Sequence, residues 1–188
     1  AFTKDGSRLA VVESEPEGLP ASITIRDSST LELIGSRIEP EGFEGLWLSQ
    51  LWTDPSIALT PDGRSLLTTS VEGELTWWDL RSRRKTRTVK IPDGYRALAL
   101  APDGRTAAIG LDEGIELIDV RTGDVQEARG TLASNPIWLL FSPDGKTVVS
   151  TSRDGTVTLW DVGTVTPRET LRGHSEAAWQ PVFSPDGE

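Results

Sequence analysis

Four aspartates and one histidine are the residues of this chain whose types and spacing could do chemistry. Asp62, Asp103, Asp144 and Asp186 each stand between a Pro and a Gly, and His174 is the only histidine. A carboxylate series could bind metal ions or transfer protons. An Asp between Pro and Gly is also typical of a tight turn in which its side chain bonds its own backbone. We interpret the four aspartates as turn residues.

The remaining composition argues against an enzyme. There is no Cys, so thiol catalysis is excluded, and a His-bearing triad would have to use His174. No Gly-x-Ser-x-Gly nucleophile elbow and no phosphate-binding glycine loop occur. A usual zinc site needs more His or Cys ligands than the chain has. We therefore predict no catalytic residue, no metal and no cofactor.

The turn sequence itself recurs at nearly constant intervals. Where Leu or Phe stands two residues before the Pro, its glycines are at positions 63, 104, 145 and 187, and the related Phe2-Thr3-Lys4-Asp5-Gly6 adds position 6. The separations are 57, 41, 41 and 42 residues. A period just over forty residues indicates a propeller blade repeat.

Between the turns, the pattern predicts four short strands per repeat. The best aligned is the third strand, at 23–27, 75–79, 115–119 and 157–161. Its first and third positions are apolar and its second is Thr or Glu, an alternation that places one face against a neighbouring sheet. Four strands in forty-odd residues make one propeller blade.

Two dipeptide types connect these repeats with a known family. Trp78-Asp79 and Trp160-Asp161 resemble the WD dipeptide of the WD40 family, and Gly173-His174 resembles its GH dipeptide. The resemblance covers essentially the whole chain. The resemblance implies that a full blade contains a hydrogen-bonded set of His, Ser or Thr, Asp and Trp. Because the chain has only one His, we expect no complete set here. The structural WD and GH positions that the resemblance implies are Trp78, Asp79, Asp154, Trp160, Asp161 and His174.

The predicted fold is all-β, with four WD40-like four-stranded antiparallel β-propeller blades, one of them split between the termini. We expect a single propeller over 1–188, with blades near 1–53 (completed by 176–188), 54–94, 95–133 and 134–175. The resemblance implies a ring of seven or eight blades. Three arrangements stay open: a section of a longer propeller, a homodimer that closes an eight-bladed ring, and a ring of four blades.

The long first repeat contains two insertions, within 13–21 and 40–54. Both connections leave the same face of a blade, because strand direction alternates. Acidic residues beside aromatic ones suit a cationic peptide. An amphipathic turn with ordinary solvated charge is the alternative. The candidate partner-binding residues are Glu15, Glu17, Glu41, Phe43, Glu44, Trp47 and Trp52.

One basic run and three tryptophans complete the set of notable residues. The run consists of Arg81, Arg83, Arg84, Lys85 and Arg87, and it follows the third strand of its blade. It predicts either a solvated connection or a contact for an acidic partner. The three tryptophans, expected in the core between blades, are Trp77, Trp138 and Trp179.

The overall charge limits the partners. With 19 Lys and Arg against 29 Asp and Glu, the formal net charge is −10. Such a chain repels nucleic acid and attracts basic proteins or peptides. No apolar run is long enough for a membrane span. We predict a cytoplasmic, non-catalytic scaffold that binds protein or peptide partners. The alternative is a regulatory or sensing propeller module of a larger multidomain enzyme, linked to a kinase or an NTPase.

Overall fold

The computed structural model describes residues 6–13, 22–35, 37, 57–70, 73–91, 97–112, 114–127 and 136–184. In this part of the chain every element is a β-strand, which confirms the all-β prediction. The strands are β1 Arg8–Glu13, β2 Ser22–Asp27, β3 Ile57–Leu59, β4 Ser65–Ser70, β5 Glu74–Asp79, β6 Arg84–Lys90, β7 Ala97–Leu100, β8 Thr106–Leu111, β9 Gly114–Asp119, β10 Val125–Glu127, β11 Pro136–Phe141, β12 Thr147–Ser152, β13 Val157–Asp161 and β14 Thr166–Leu171.

The strands form antiparallel meanders in chain order. Three sheets have four strands each, in the orders β3-β4-β5-β6, β7-β8-β9-β10 and β11-β12-β13-β14, and β1 pairs with β2. In two sheets the third and fourth strands share a bulge at the WD position, between Trp77 and Trp78 and between Leu159 and Trp160. The recurrence of this irregularity confirms that the repeats are structural copies of one another.

The chain divides into two compact units, Ala1–Ile91 and Pro92–Glu188. In the first unit, Ile23 and Ile25 of β2 form a cluster with Leu59, Leu66 and Trp78. The alternation of apolar residues along each strand produces this cluster, since every second side chain points to the same face.

The second unit has a larger core between its two sheets. Leu117 of β9 belongs to one cluster with Leu139, Phe141, Val148 and Trp160 of the next sheet. Face-to-face packing of the two sheets therefore holds this unit together, as expected when each sheet has an apolar face.

The sequence prediction was wrong at one end of the chain. Completion of the first blade by residues 176–188 needs a further strand near Val182, but residues 177–184 contain no strand and Val182 is 88% exposed. A strand needs a neighbour for its backbone hydrogen bonds. The Ala178 N–H donates a hydrogen bond of 3.1 Å to the Ser152 C=O, but no described strand pairs with this segment in a ladder, so its apolar character alone does not make it a strand. The predicted blade limits stay a prediction.

Candidate functional site

The tryptophan of each WD dipeptide is a buried structural residue with a hydroxyl partner. Trp160 is 1% exposed, and its indole Nε1 donates a hydrogen bond of 2.9 Å to Ser150 Oγ on β12. Trp78 Nε1 donates in the same way to Thr68 Oγ1 on β4, also at 2.9 Å. A buried indole N–H needs such an acceptor. Both Trp residues are thus engaged within their own sheets.

The aspartate of the WD dipeptide closes the turn that follows it. Asp161 Oδ1 accepts hydrogen bonds from the Thr164 backbone N–H and hydroxyl at 2.9 and 3.0 Å. Asp79 Oδ1 accepts from the Ser82 N–H at 2.6 Å. These backbone donors hold the pKa of Asp161 and of Asp79 below its usual value. Bonds to the charged form favour it.

The equivalent aspartates in the other two repeats have the same role. Asp119 accepts from the Thr122 N–H, and Asp27 accepts from the hydroxyl of Ser29 and from backbone N–H groups. The hydrogen bond from the Ser29 hydroxyl contributes most to lowering the pKa of Asp27 to about 2. Position five of the third strand is therefore a turn cap in every repeat.

The turn between β12 and β13 contains Asp154 and approaches the His174 backbone through Gly155. Asp154 accepts from the Thr156 N–H at 3.0 Å and hydroxyl at 2.6 Å. Burial raises the pKa of Asp154, but these bonds outweigh it and hold it below the usual value. A Cβ on Gly155, whose φ is +79°, would stand 2.5 Å from the His174 carbonyl oxygen. The His174 side chain itself is exposed.

The three described Pro-Asp-Gly carboxylates of the repeat are turn residues, as predicted. Asp62 accepts from the Thr60 hydroxyl at 2.7 Å and from the Arg64 N–H at 3.0 Å, and Asp144 makes the equivalent pair of bonds with Ser142 and Lys146. Asp103 accepts from the Arg105 N–H at 2.8 Å. Among the described residues no group of three acidic, His or Cys side chains could hold a metal ion. Asp186 lies outside the described residues.

The seven candidate partner-binding residues also lie outside the described residues. These are Glu15, Glu17, Glu41, Phe43, Glu44, Trp47 and Trp52. Their role as a binding surface stays a prediction from the sequence.

Comparison with known proteins shows which family this chain belongs to. The family model "WD domain, G-beta repeat" matches residues 128–161, which contain β11, β12 and β13. An uncharacterized WD repeat-containing protein of Synechocystis is 28% identical over 78% of this chain. Periodic tryptophan protein 2 of Arabidopsis thaliana is 32% identical over 67% of it. The chain belongs to the WD40-repeat β-propeller family.

Solved structures agree with this WD40 assignment at the level of the fold. A chain of hydrazine synthase from Kuenenia stuttgartiensis has a TM-score of 0.72 and is 24% identical, covering 99% of this chain. The RRP9 WD40 repeats have a TM-score of 0.61 over 66% of it. The WD40 chain spans 40% of the Synechocystis relative, 14% of the Arabidopsis relative and 52% of the hydrazine synthase chain.

One feature of the WD40 sheets escaped sequence reasoning. At the second position of the third strand, Thr76 and Thr158 pair through their hydroxyls with a Thr on the fourth strand, at 3.3 and 3.4 Å. In the sheet β7–β10 the same position is Glu116, directly opposite Glu127. Glu116 is 8% exposed and its Oε2 has no hydrogen-bond partner. Burial, and then the charge of Glu127, raises its pKa.

The sequence signal for this pair was visible but incomplete. The alignment of third strands shows Thr or Glu at this position. It does not show that the opposite residue on β10 is another Glu, because β10 has only three residues and its register is set by pairing.

Two expectations about other side chains need correction. Trp77 is buried as predicted, but Trp138 is half-buried and Trp179 is 49% exposed. Trp179 lies in the segment without a strand, so no described sheet covers it. The basic run was placed in a connection, whereas Arg84, Lys85 and Arg87 lie on β6, the outer strand of its sheet. No helix in the described part of the chain is long and apolar enough to cross a membrane.

Proposed function

We propose that this WD40 chain is a non-catalytic scaffold that binds protein or peptide partners through the loop face carrying its two insertions. One observation carries the proposal. The described aspartates of the turns and the tryptophans of the WD dipeptides are each engaged in hydrogen bonds of their own sheet or turn. The residues that differ from repeat to repeat are then the ones available for recognition.

The chemistry of the insertions suits a basic peptide. Glu15, Glu17, Glu41 and Glu44 supply negative charge, and Trp47 and Trp52 supply aromatic faces nearby in sequence. Arg and Lys side chains are attracted to both, through ion pairing and through cation–π contact. The net charge of −10 steers such a partner towards the chain and repels nucleic acid.

Binding of a fluorescein-labelled peptide rich in Arg and Lys, followed by anisotropy, tests this proposal. The variant Trp47→Ala/Trp52→Ala is expected to weaken binding at least about tenfold, because aromatic anchors carry much of the energy of such contacts. Trp179→Ala is the matched control, since Trp179 is exposed outside the insertions. Urea unfolding of each variant reports on the fold.

The outcomes separate the proposal from its alternative. Loss of binding with unchanged unfolding supports the loop face. If Trp47→Ala/Trp52→Ala lowers the unfolding free energy instead, the two residues pack against the propeller as an amphipathic turn. Equal binding by the double variant and by Trp179→Ala would contradict the site.

The arrangement as a homodimer closing an eight-bladed ring also belongs to the proposal. The outer face of the sheet β11–β14 supports it, since Trp138, Leu140 and Leu159 are only half-buried. The matching positions Ala97, Ala99 and Leu117 of the sheet β7–β10 are buried in the core that includes β11 and Trp160. Light scattering at high concentration tests the dimer, and a clean monomer would contradict it.

The second candidate function is a regulatory or sensing module of a larger multidomain enzyme. The observation that favours it is the small share of its relatives that the chain spans, 40% and 14%. The reading frame around the coding sequence tests it, because a kinase or nucleotide-binding motif in the same frame would support the module. A cytoplasmic location stays a prediction.

A further inference from the structure

The outer strand β6 carries a concentration of positive charge that the rest of the chain lacks. Its sequence, Arg-Lys-Thr-Arg-Thr-Val-Lys, has four cations and no carboxylate. The equivalent strand β14 has one Arg and one Glu, and β10 has one Glu and no cation. All three sheets form with the same topology. The fold therefore does not require the basic residues of β6.

Two of the four cations already have a role inside the sheet. Arg87 lies over the ring of Trp77, with 5.4 Å from Cζ to the ring centroid. Lys90 Nζ lies 3.3 Å from Glu74 Oε1 on the neighbouring strand. Arg84 and Lys85, in contrast, are exposed at the beginning of β6, beside the exposed Arg81. These three define the surface considered below, which we call the β6 edge.

The backbone at the β6 edge is also available. β6 is the last strand of its sheet, and no described strand lies beyond it. On each side of the bulge opposite Trp77 and Trp78, this outer strand presents N–H and C=O groups along its free side. Addition of an extended segment would satisfy these groups, which is a common mode of peptide recognition.

From this combination we infer that the β6 edge binds an extended acidic polypeptide segment as an added strand. Consecutive residues of a strand point to opposite faces, so Arg84 and Lys85 flank the edge on both sides. A segment with two consecutive carboxylates would place one beside each cation. A pair of opposite charges across neighbouring strands stabilises a sheet.

Nucleic acid fits the β6 edge less well. A phosphate backbone accepts hydrogen bonds but donates none along its chain, so it cannot pair with the C=O groups of β6. The net charge of −10 also repels it. This surface is separate from the loop insertions and has the opposite charge, so the inference does not rest on the proposed function.

The test is the binding of a fluorescein-labelled peptide, Thr-Val-Glu-Glu-Val-Thr-Val, measured by anisotropy in low salt. The variant Arg84→Glu/Lys85→Glu is expected to weaken binding about tenfold or more, because attraction becomes repulsion on both faces. The matched control Arg105→Glu/Lys146→Glu changes the net charge equally at two exposed turn positions elsewhere. It is expected to bind almost as well as the unchanged chain.

Three outcomes can overturn the inference. The same peptide N-methylated at alternate residues keeps its charge but cannot pair as a strand. If it binds as tightly as the unmethylated peptide, strand addition is wrong. If both charge variants weaken binding equally, the β6 edge has no specific role. Tighter binding of labelled oligo(dT), lost in Arg84→Glu/Lys85→Glu, would assign the edge to nucleic acid instead.

The folded state of the variants must be shown in the same samples. Arg84 and Lys85 are exposed, so their replacement is expected to leave the urea unfolding midpoint nearly unchanged. Failure of the β6-edge test leaves the Trp47/Trp52 experiment unaffected. The two proposals therefore succeed or fail independently.

Discussion

The sheets β7–β10 and β11–β14 align strand for strand but differ in what lies between their third and fourth strands. In β11–β14, Thr158 and Thr170 face each other as neutral hydroxyls, and β14 has six residues. In β7–β10, Glu116 and Glu127 face each other as carboxylates, and β10 has only three residues. The same backbone topology thus accommodates very different side-chain pairs between the third strand and the outer strand.

The WD position sharpens this difference. Trp160 fills the buried face of β13 and donates to Ser150, whereas the equivalent residue of β9 is the smaller Ile118 without a polar group. Turns and the alternation of apolar residues therefore specify a blade, while the buried side chains determine how stable each blade is. The following variants test the comparison of the two sheets, from the largest effect to the smallest.

Trp160→Ala is expected to have the largest effect. It empties a nearly fully buried position and leaves the Ser150 hydroxyl without its donor. Truncation of a buried Trp costs about 3–5 kcal/mol of unfolding free energy. The corresponding truncation in the other sheet, Ile118→Ala, removes fewer atoms and no hydrogen bond, and is expected to cost less than Trp160→Ala within a range of about 2–5 kcal/mol. Urea unfolding measures both, and equal losses would show that the two sheets do not differ at this position.

Exchange of the facing pairs tests the main difference directly. Glu116→Thr/Glu127→Thr is expected to stabilise the chain at neutral pH by about 1–3 kcal/mol. It removes a buried oxygen without a hydrogen-bond partner, and it removes the repulsion between two negative charges that face each other across the strands. The reverse exchange, Thr158→Glu/Thr170→Glu, is expected to destabilise the sheet β11–β14. A loss of stability in the first variant would contradict this account of the pair.

The carboxylate pair also predicts a pH dependence. The pKa of Glu116 is raised on folding. Its contribution to the stability of the folded chain is therefore fully present below the pKa of the unfolded state, and it is lost as pH rises through the pKa of the folded state. Glu116→Gln removes this titration. The unfolding free energy of the variant should therefore increase relative to that of the unchanged chain as pH rises from about 4 towards neutral. Parallel stability curves for the two proteins over this range would show that Glu116 does not titrate differently on folding.

The turn caps should give the smallest effect and no difference between the sheets. Asp161→Ala and Asp119→Ala each remove a carboxylate that accepts backbone N–H bonds. Because the pKa of both carboxyls is lowered on folding, their stabilisation is present above the unfolded pKa of about 4. It is lost as pH falls through the folded pKa. A small fall in the melting temperature at pH 7, vanishing in acid, is expected by calorimetry. Unequal effects at pH 7 would contradict equivalent caps.

Much of the fold could be predicted, because its signals are local. The Asp-Gly turns and the alternation in the third strands depend on neighbouring residues, and the aspartate bonds at Asp62 and Asp144 confirm them. Trp179 and the segment near Val182 show the limit of such signals. Both look like core or strand residues in sequence, but they are exposed, because no described sheet lies against them.

For the candidate site the balance is different. The acidic and aromatic insertions were found from the failure of the period, 57 residues instead of 41, and their role stays a prediction. The Glu116–Glu127 pair and the β6 edge appear only when strand register and sheet order are known.

The sequence by itself determined the repeat, its turns, its WD positions and the sign of the overall charge, since all of these follow from residue type and spacing. Only the tertiary structure decided which Glu is buried, which Trp is exposed and which basic strand forms a sheet edge. The physical reason is that burial and electrostatic environment depend on the residues across the sheet, which lie far away along the chain.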